Sequence, residues 1–172
     1  KAGFDVFFSH FQSEMGILKG TSIGNLQDLT IAMERPEPQY TSNFSYHIGE
    51  PRQQVSHNLL KVNGHVATSH GEWKLQYGFQ NNNRREYDIR VGELSKIPAL
   101  DLKLNTHTLE AEWETLHSAK RTISVGMNGM IQNNINVPGT QRIPFIPNFT
   151  NISGGVFGVT KLYLNAWAID LG

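Results

Sequence analysis

Apolar and polar residues alternate along most of the chain, and this period of two predicts β-strands rather than helices. The clearest run covers residues 73–80, where Trp, Leu, Tyr and Phe at odd positions alternate with Lys, Gln and Gly at even positions. Four further runs alternate in the same way, at about residues 4–9, 55–68, 100–113 and 122–132, and two more runs, at 152–161 and about 165–171, have less clear faces. The pattern therefore predicts about seven strands.

One of these runs changes phase within its length. Its leucines lie at even positions from Leu100 to Leu104, whereas Leu109 and Trp113 lie at odd positions. A shift of one residue moves every following side chain to the other face of a strand. We therefore expect a β-bulge near Thr106 and His107, because a bulge inserts one extra residue.

The predicted connections alternate between long and short. Long loops cover about residues 12–52, 82–98 and 134–151, and tight connections fall near His70, Ser118 and Tyr163. The first long loop also contains a short helical pattern that ends at Glu34. Asn25 is a suitable N-cap for this helix, and the sequence Arg35–Pro36 ends it.

This alternation of loop lengths places all long loops at one end of an antiparallel sheet and all tight turns at the other. Short turns, long loops and about ten alternating residues per crossing are typical of an outer-membrane β-barrel. Trp73, Trp113 and Trp167 lie beside the short turns, where an aromatic girdle would face the membrane interface. We therefore predict an all-β, antiparallel up-and-down meander that is part of a transmembrane β-barrel, with its apolar face against lipid and its polar face lining a lumen.

A soluble β-sandwich is the main alternative, because its strands also alternate and its polar faces point to water. Periodicity alone does not separate the two folds. The regular alternation of loop lengths favours the barrel over a Greek key. The polar faces also favour it, because they are built largely from amides, hydroxyls and glycine rather than from charged groups.

Composition excludes several classes of function. The chain has 172 residues, which fits a single segment over residues 1–172, and its 15 basic residues balance its 15 acidic ones. A net charge of zero gives no broad attraction to nucleic acid. With no cysteine there is neither a disulfide framework nor a thiolate nucleophile nor a cysteine-based zinc site. Because the chain opens on one strand and ends inside another, we expect it to be a piece of a longer polypeptide.

Three stretches in this order resemble TonB-dependent outer-membrane receptors of the Bacteroidetes type. The first is Gly49–Lys61 (GEPRQQVSHNLLK). The second is Gln80–Arg90 (QNNNRREYDIR), followed by Ile97–Leu104 (IPALDLKL). The third is Gly129–Thr140 (GMIQNNINVPGT), followed by Ile143–Asn148 (IPFIPN). Together these stretches cover most of residues 49–150, and the rest of the chain is similar in texture only.

The resemblance implies a transporter in the outer membrane of a Gram-negative bacterium. Members of the family fold as a barrel of about 22 strands with an N-terminal plug. They import scarce nutrients, and a ferric chelate such as a siderophore or haem is the foremost expectation here. Expected partners are outer-membrane lipid, the nutrient, and TonB, which acts through an N-terminal part that this chain lacks. A porin-like channel without a plug is a further alternative.

Candidate ligand-binding residues lie mainly in the long loops. Arginines grip anionic ferric chelates in such receptors because a guanidinium fork matches carboxylate or catecholate oxygens. An internal network of salt bridges is the alternative role for these arginines, and packing between loops is the alternative for the aromatic residue. Arg52 could join the same rim. The candidates are Arg84, Arg85, Arg90, His107, Arg142 and Phe145.

The sequence contains no pattern typical of a catalytic site. It has no Gly-x-Ser-x-Gly nucleophile elbow, and Gly154–Gly155 does not open a helix as a phosphate loop would. His57 and His65 are predicted to share the lumen face, but they are too far apart to chelate one metal. We therefore expect no enzymatic activity, no cofactor and no metal site.

Overall fold

The computed structural model describes residues 1–17, 25–37, 41, 43–115, 120–164 and 166–172. It contains one seven-stranded antiparallel sheet in which every strand pairs with its neighbours in sequence. A short 3₁₀ helix, Gly92–Lys96, precedes the fourth strand, and the helix α1, Leu26–Glu34, lies between the first two. The strands are β1 (Ala2–Gly16), β2 (Arg52–Ala67), β3 (Gly71–Tyr87), β4 (Leu100–Thr115), β5 (Arg121–Asn136), β6 (Phe149–Leu164) and β7 (Trp167–Leu171).

The predicted all-β meander and its helix are confirmed. Among the described residues there are seven strands in one open sheet, with long and short connections in alternation. The Asn25 side chain accepts a hydrogen bond from the backbone N–H of Asp28 at 2.8 Å, as expected of an N-cap. None of the helices in the described ranges has the length and apolar character needed to cross a membrane.

The predicted loop boundaries are wrong because the strands run further than the alternation showed. Six strands contain 15–17 residues. The long connections therefore shrink to residues 17–51, 88–99 and 137–148. Tyr163 belongs to β6, which ends at Leu164, so the predicted turn position is wrong, and β7 begins at Trp167. The turn at His70 is confirmed by a hydrogen bond from Thr68 N to Gly71 O at 2.8 Å, whereas Ser118 lies outside the described residues.

The predicted β-bulge in β4 is also wrong. The register of β4 runs without a break against β3 and against β5, and it passes straight through Thr106 and His107. Leu100 and Leu104 therefore lie on the opposite face of the sheet from Leu109. Apolar side chains change face along this strand while the backbone stays regular.

The residues paired across neighbouring strands explain why the apolar side chains of β4 change face. One face carries apolar side chains on every strand in the half of the sheet near the short turns. We call this surface the apolar band. On the first six strands it consists of Phe4, Val6, Phe8, Leu60, Val62, Val66, Trp73, Leu75, Tyr77, Phe79, Leu109, Ala111, Trp113, Val125, Met127, Ile131, Ile152 and Val156.

The face opposite the apolar band is mostly polar and partly charged. Lys74 and Glu114 pair across β3 and β4 at 2.8 Å. Asn63 donates a hydrogen bond to Asp5 across β2 and β1, also at 2.8 Å. We call this surface the polar face, and the sheet is therefore amphipathic in the half near the turns.

The sheet has no hydrophobic core among the described residues. No apolar side chain is buried, and the buried polar or charged residues are Asp101, Thr106, Thr122 and Asn134. Leu60, Tyr77 and Phe79 are only half-buried, and Val125 is 45% exposed. A sandwich would bury these four side chains between two sheets, so the described part of the chain does not form one.

Candidate functional site

A cavity lies at the loop end of the sheet, where three connections meet. Its volume is about 780 Å³, within the usual range of about 300–1,000 Å³ for small-molecule sites. The ends of β3, β4 and β5 form its floor, and the loop after β5 forms one wall. It is lined by Ile17, Pro51, Glu86, Tyr87, Asp88, Ala99, Leu100, Asp101, Asn136, Val137, Thr140, Gln141, Arg142, Ile143, Pro144 and Phe145.

Two of the predicted binding residues line this cavity. Arg142 Nη2 lies 2.9 Å from Asp88 Oδ2, and the two side chains are 56% and 50% exposed. Phe145 is 95% exposed and lines the same cavity. An exposed ion pair of this kind contributes only about 0–1 kcal/mol, so a ligand carboxylate could replace Asp88 at little cost.

Arg90 supports the cavity wall rather than lining it. Its Nη1 donates to the backbone oxygen of Thr140 at 2.9 Å, which ties the loop after β3 to the loop after β5. Its Nη2 is buried and has no acceptor among the described residues. A buried donor without a partner is costly, so this guanidinium has capacity for one more oxygen.

Arg84 and Arg85 point to opposite faces of β3. Arg84 pairs with Glu86 and also donates to Gln53 Oε1 at 3.2 Å. Arg85 Nε lies 3.2 Å from Asp101 Oδ2, and the Asp101 side chain is only 9% exposed. The Arg84–Glu86 and Arg85–Asp101 contacts are salt bridges within the sheet, and such salt bridges are the alternative role expected for these arginines.

His107 lies away from the cavity, among the side chains of the apolar band. Its Nδ1 is 2.8 Å from the hydroxyl of Tyr77, and its ring centroid is 4.7 Å from that of Phe79. The expected re-aiming of His107 by a bulge does not occur because the strand is regular. The structure therefore separates His107 from the other predicted site residues.

Tyr87 lines the cavity, and the sequence did not single it out. The guanidinium of Arg52 stacks 4.1 Å from the centre of its ring, and Arg52 also contacts Glu50 and lies 3.0 Å from Glu14. Hydrogen bonds from the Glu50 backbone and from Arg52 hold the pKa of the Glu50 carboxyl below its usual value. The Glu50–Arg52 contact is therefore fully formed above the ordinary pKa of a glutamate and is lost only when the pH falls through the lowered value.

Asparagines at the end of β5 hold the loop that forms the cavity wall. Asn136 Nδ2 donates to the backbone oxygen of Ile146 at 2.8 Å, and its backbone N–H donates to Asn148 Oδ1 at 2.7 Å. Asn134 Nδ2 donates to the oxygen of Pro147 at 3.1 Å. Asparagine is unfavourable in strands. The frequent asparagines at the end of β5 were therefore the feature of the sequence that could have predicted hydrogen bonds to the following loop.

Neither a metal-binding cluster nor a similar known protein identifies the function of this cavity. Within the described ranges, no group of three or more His, Asp or Glu side chains is placed to hold a metal ion. Comparison of the chain with protein-family models, curated proteins and solved structures found no match.

Proposed function

We propose that the chain forms part of the barrel wall of a TonB-dependent outer-membrane receptor that binds and imports a scarce nutrient, foremost a ferric chelate. The observation that carries this proposal is the apolar band. It extends across the first six strands, none of its side chains is buried, and the described sheet has no hydrophobic core. Soluble monomers rarely expose an apolar surface of this extent.

The length of the band and its aromatic edge support contact with a membrane. On β3 the band runs from Trp73 to Phe79, so six steps of about 3.4 Å make it about 20 Å long along the strand. It covers seven of the about 9–11 residues with which a tilted strand crosses a bilayer. Trp73 and Trp113 lie side by side at its turn end, with ring centroids 6.4 Å apart, where an aromatic girdle belongs.

Contact with a membrane also explains why the apolar side chains of β4 change face along the strand. Within the bilayer the lipid-facing surface must be apolar, whereas beyond it that surface meets water. The first six strands contain 15–17 residues each, whereas about 9–11 residues cross a bilayer. The strands therefore extend past the membrane, and Leu100, Leu102 and Leu104 face the interior above it.

The cavity at the loop end is the proposed nutrient site. It opens on the side where the strands leave the membrane, and Arg142 and Phe145 line it beside Tyr87. Arg142 is the best placed of the predicted arginines because its partner Asp88 is exposed. A guanidinium released from Asp88 can form two parallel hydrogen bonds to a ligand carboxylate or catecholate.

Uptake by intact cells tests the proposal. We expect cells that express the full-length protein to accumulate ferric citrate or a ferric catecholate chelate only while the inner membrane is energised. Collapse of the proton gradient should abolish accumulation. Uptake that continues without the gradient would favour the porin-like channel, and no uptake of either chelate would contradict the proposed cargo.

Replacing Arg142 with alanine should weaken binding of the transported chelate by about tenfold or more, since one charged hydrogen bond contributes at least that much. Equilibrium binding to outer-membrane vesicles measures the effect. Arg121→Ala is the control because Arg121 begins β5 at the opposite, turn end of the sheet. Equal affinities for Arg142→Ala and the unmodified protein would remove Arg142 from the site.

A further inference from the structure

A row of polar side chains borders the apolar band on its loop side. The register places one residue from each of the first six strands in this row, all on the face that carries the band. Four of the six are asparagines that lie far apart in sequence. We call this set the amide row: His10, Asn58, Asn81, Asn105, Asn133 and Thr150.

Neighbouring members of the amide row are hydrogen-bonded across the strands. Asn81 Nδ2 donates to Asn105 Oδ1 at 2.7 Å, and Asn58 Nδ2 donates to Asn81 Oδ1 at 3.4 Å. His10 Nδ1 lies 2.7 Å from Asn58 Oδ1, and Thr150 Oγ1 donates to Asn133 Oδ1 at 2.7 Å. These contacts hold the side chains in a fixed line along the sheet.

The row keeps unused hydrogen-bonding capacity. Each asparagine amide has two N–H donors, and the contacts above use at most one of them. Six strands about 4.8 Å apart give a row about 24 Å wide. A single phosphate would occupy only a small part of this width, whereas the many hydroxyl groups of a glycan match it.

On the loop side of the amide row, the same face of the sheet carries an unpaired positive charge at Lys103. Lys103 is exposed on the same face, two residues beyond Asn105, and within the part of the chain described no ion pair includes it. The acidic side chains on this part of the face are already engaged, because Asp101 contacts Arg85 and Glu14 contacts Arg52. An anionic partner would therefore meet a free ammonium group.

We propose that the amide row and Lys103 bind the headgroup of a phosphorylated glycolipid in the outer leaflet. The inference rests on the proposed function, because it requires the apolar band to lie in the bilayer. Acyl chains then contact the band, sugar hydroxyls reach the asparagines, and a phosphate reaches Lys103. A neutral row next to a cation complements a glycan that carries phosphate.

The experiment reconstitutes the full-length protein into phosphatidylethanolamine vesicles that contain either diphosphorylated lipid A or phosphatidylglycerol at matched charge. Lipid that remains bound to the protein after detergent extraction is quantified. We expect enrichment of lipid A but not of phosphatidylglycerol. The variant Lys103→Gln with Asn105→Ala should bind lipid A about tenfold more weakly, because it loses a charged hydrogen bond.

The matched control is Lys61→Gln with Asn63→Ala, which has the same spacing on the polar face of β2. It should retain the enrichment of lipid A. Equal enrichment of both anionic lipids, or unchanged binding by the Lys103 and Asn105 variant, would overturn this inference alone. Failure of the unmodified protein to insert, shown by its release in an alkaline carbonate wash, would overturn the proposed function and this inference with it.

Discussion

Replacement of Leu75 with arginine should destabilise the membrane-inserted protein by about 2–4 kcal/mol, the cost of a cation near the midplane on the lipid face of a barrel. Leu75 lies within the apolar band, where its row neighbours are Gly64 and Ala111. No acidic side chain of the band can pair with the new charge. Urea unfolding of the full-length protein in lipid vesicles measures the difference.

The next residue along β3 supplies the control. Gln76 lies on the polar face opposite Glu110, so Gln76→Arg places the same cation beside a carboxylate in a wet environment. We expect the free energy of unfolding of this variant to differ by no more than about 0.5 kcal/mol from that of the unmodified protein, as is usual for surface substitutions. A tolerated Leu75→Arg together with a damaging Gln76→Arg would reverse the assignment of the two faces.

Replacement of Gly71 with alanine should cost about 1–3 kcal/mol through overpacking. A Cβ at this position would lie 2.3 Å from the backbone oxygen of Glu114 and 2.9 Å from Nε1 of Trp113. The backbone of β4 would have to move away, and with it the ring of Trp113. Urea unfolding monitored by tryptophan fluorescence reports both the loss of stability and the displaced ring.

Gly64 is the matched control for Gly71. It lies on the same face, in the adjacent strand, and a Cβ there has nothing within 4 Å. Gly64→Ala should therefore be neutral or slightly stabilising, because alanine reduces the freedom of the unfolded chain. Equal destabilisation by the two alanines would show that the close approach at Gly71 does not limit the packing of β3 against β4.

The sequence was sufficient to predict the strands, their order and the helix, because these depend on local alternation and capping. It failed where environment changes along a regular strand. The leucines at 100–104 and at 109 are consistent with either a bulge or a boundary between two environments. Only the unbroken register with β3 and β5 decides between them.

The candidate site was predictable only in part. Arg142 and Phe145 were candidates because a long loop with arginine and aromatic residues is typical of a binding rim, and both line the cavity. Tyr87 and the amide row could not be found in the same way. Asn58, Asn81 and Asn105 are more than twenty residues apart, and only the register of the sheet aligns them.

Solvent accessibility along β3 tests the central claim most directly. The chain contains no cysteine, so single cysteines at positions 73–87 of the full-length protein in lipid vesicles can each carry a nitroxide spin label. Collisions with oxygen report contact with lipid, and collisions with a water-soluble nickel chelate report contact with water. We predict oxygen-dominated collisions at odd positions from 73 to 79, nickel-dominated collisions at even positions, and nickel-dominated collisions on both faces beyond Asn81. Labels at Trp73, Leu75, Tyr77 and Phe79 that collide with neither reagent would show that these positions lie in a packed protein interior, and this result would contradict the account.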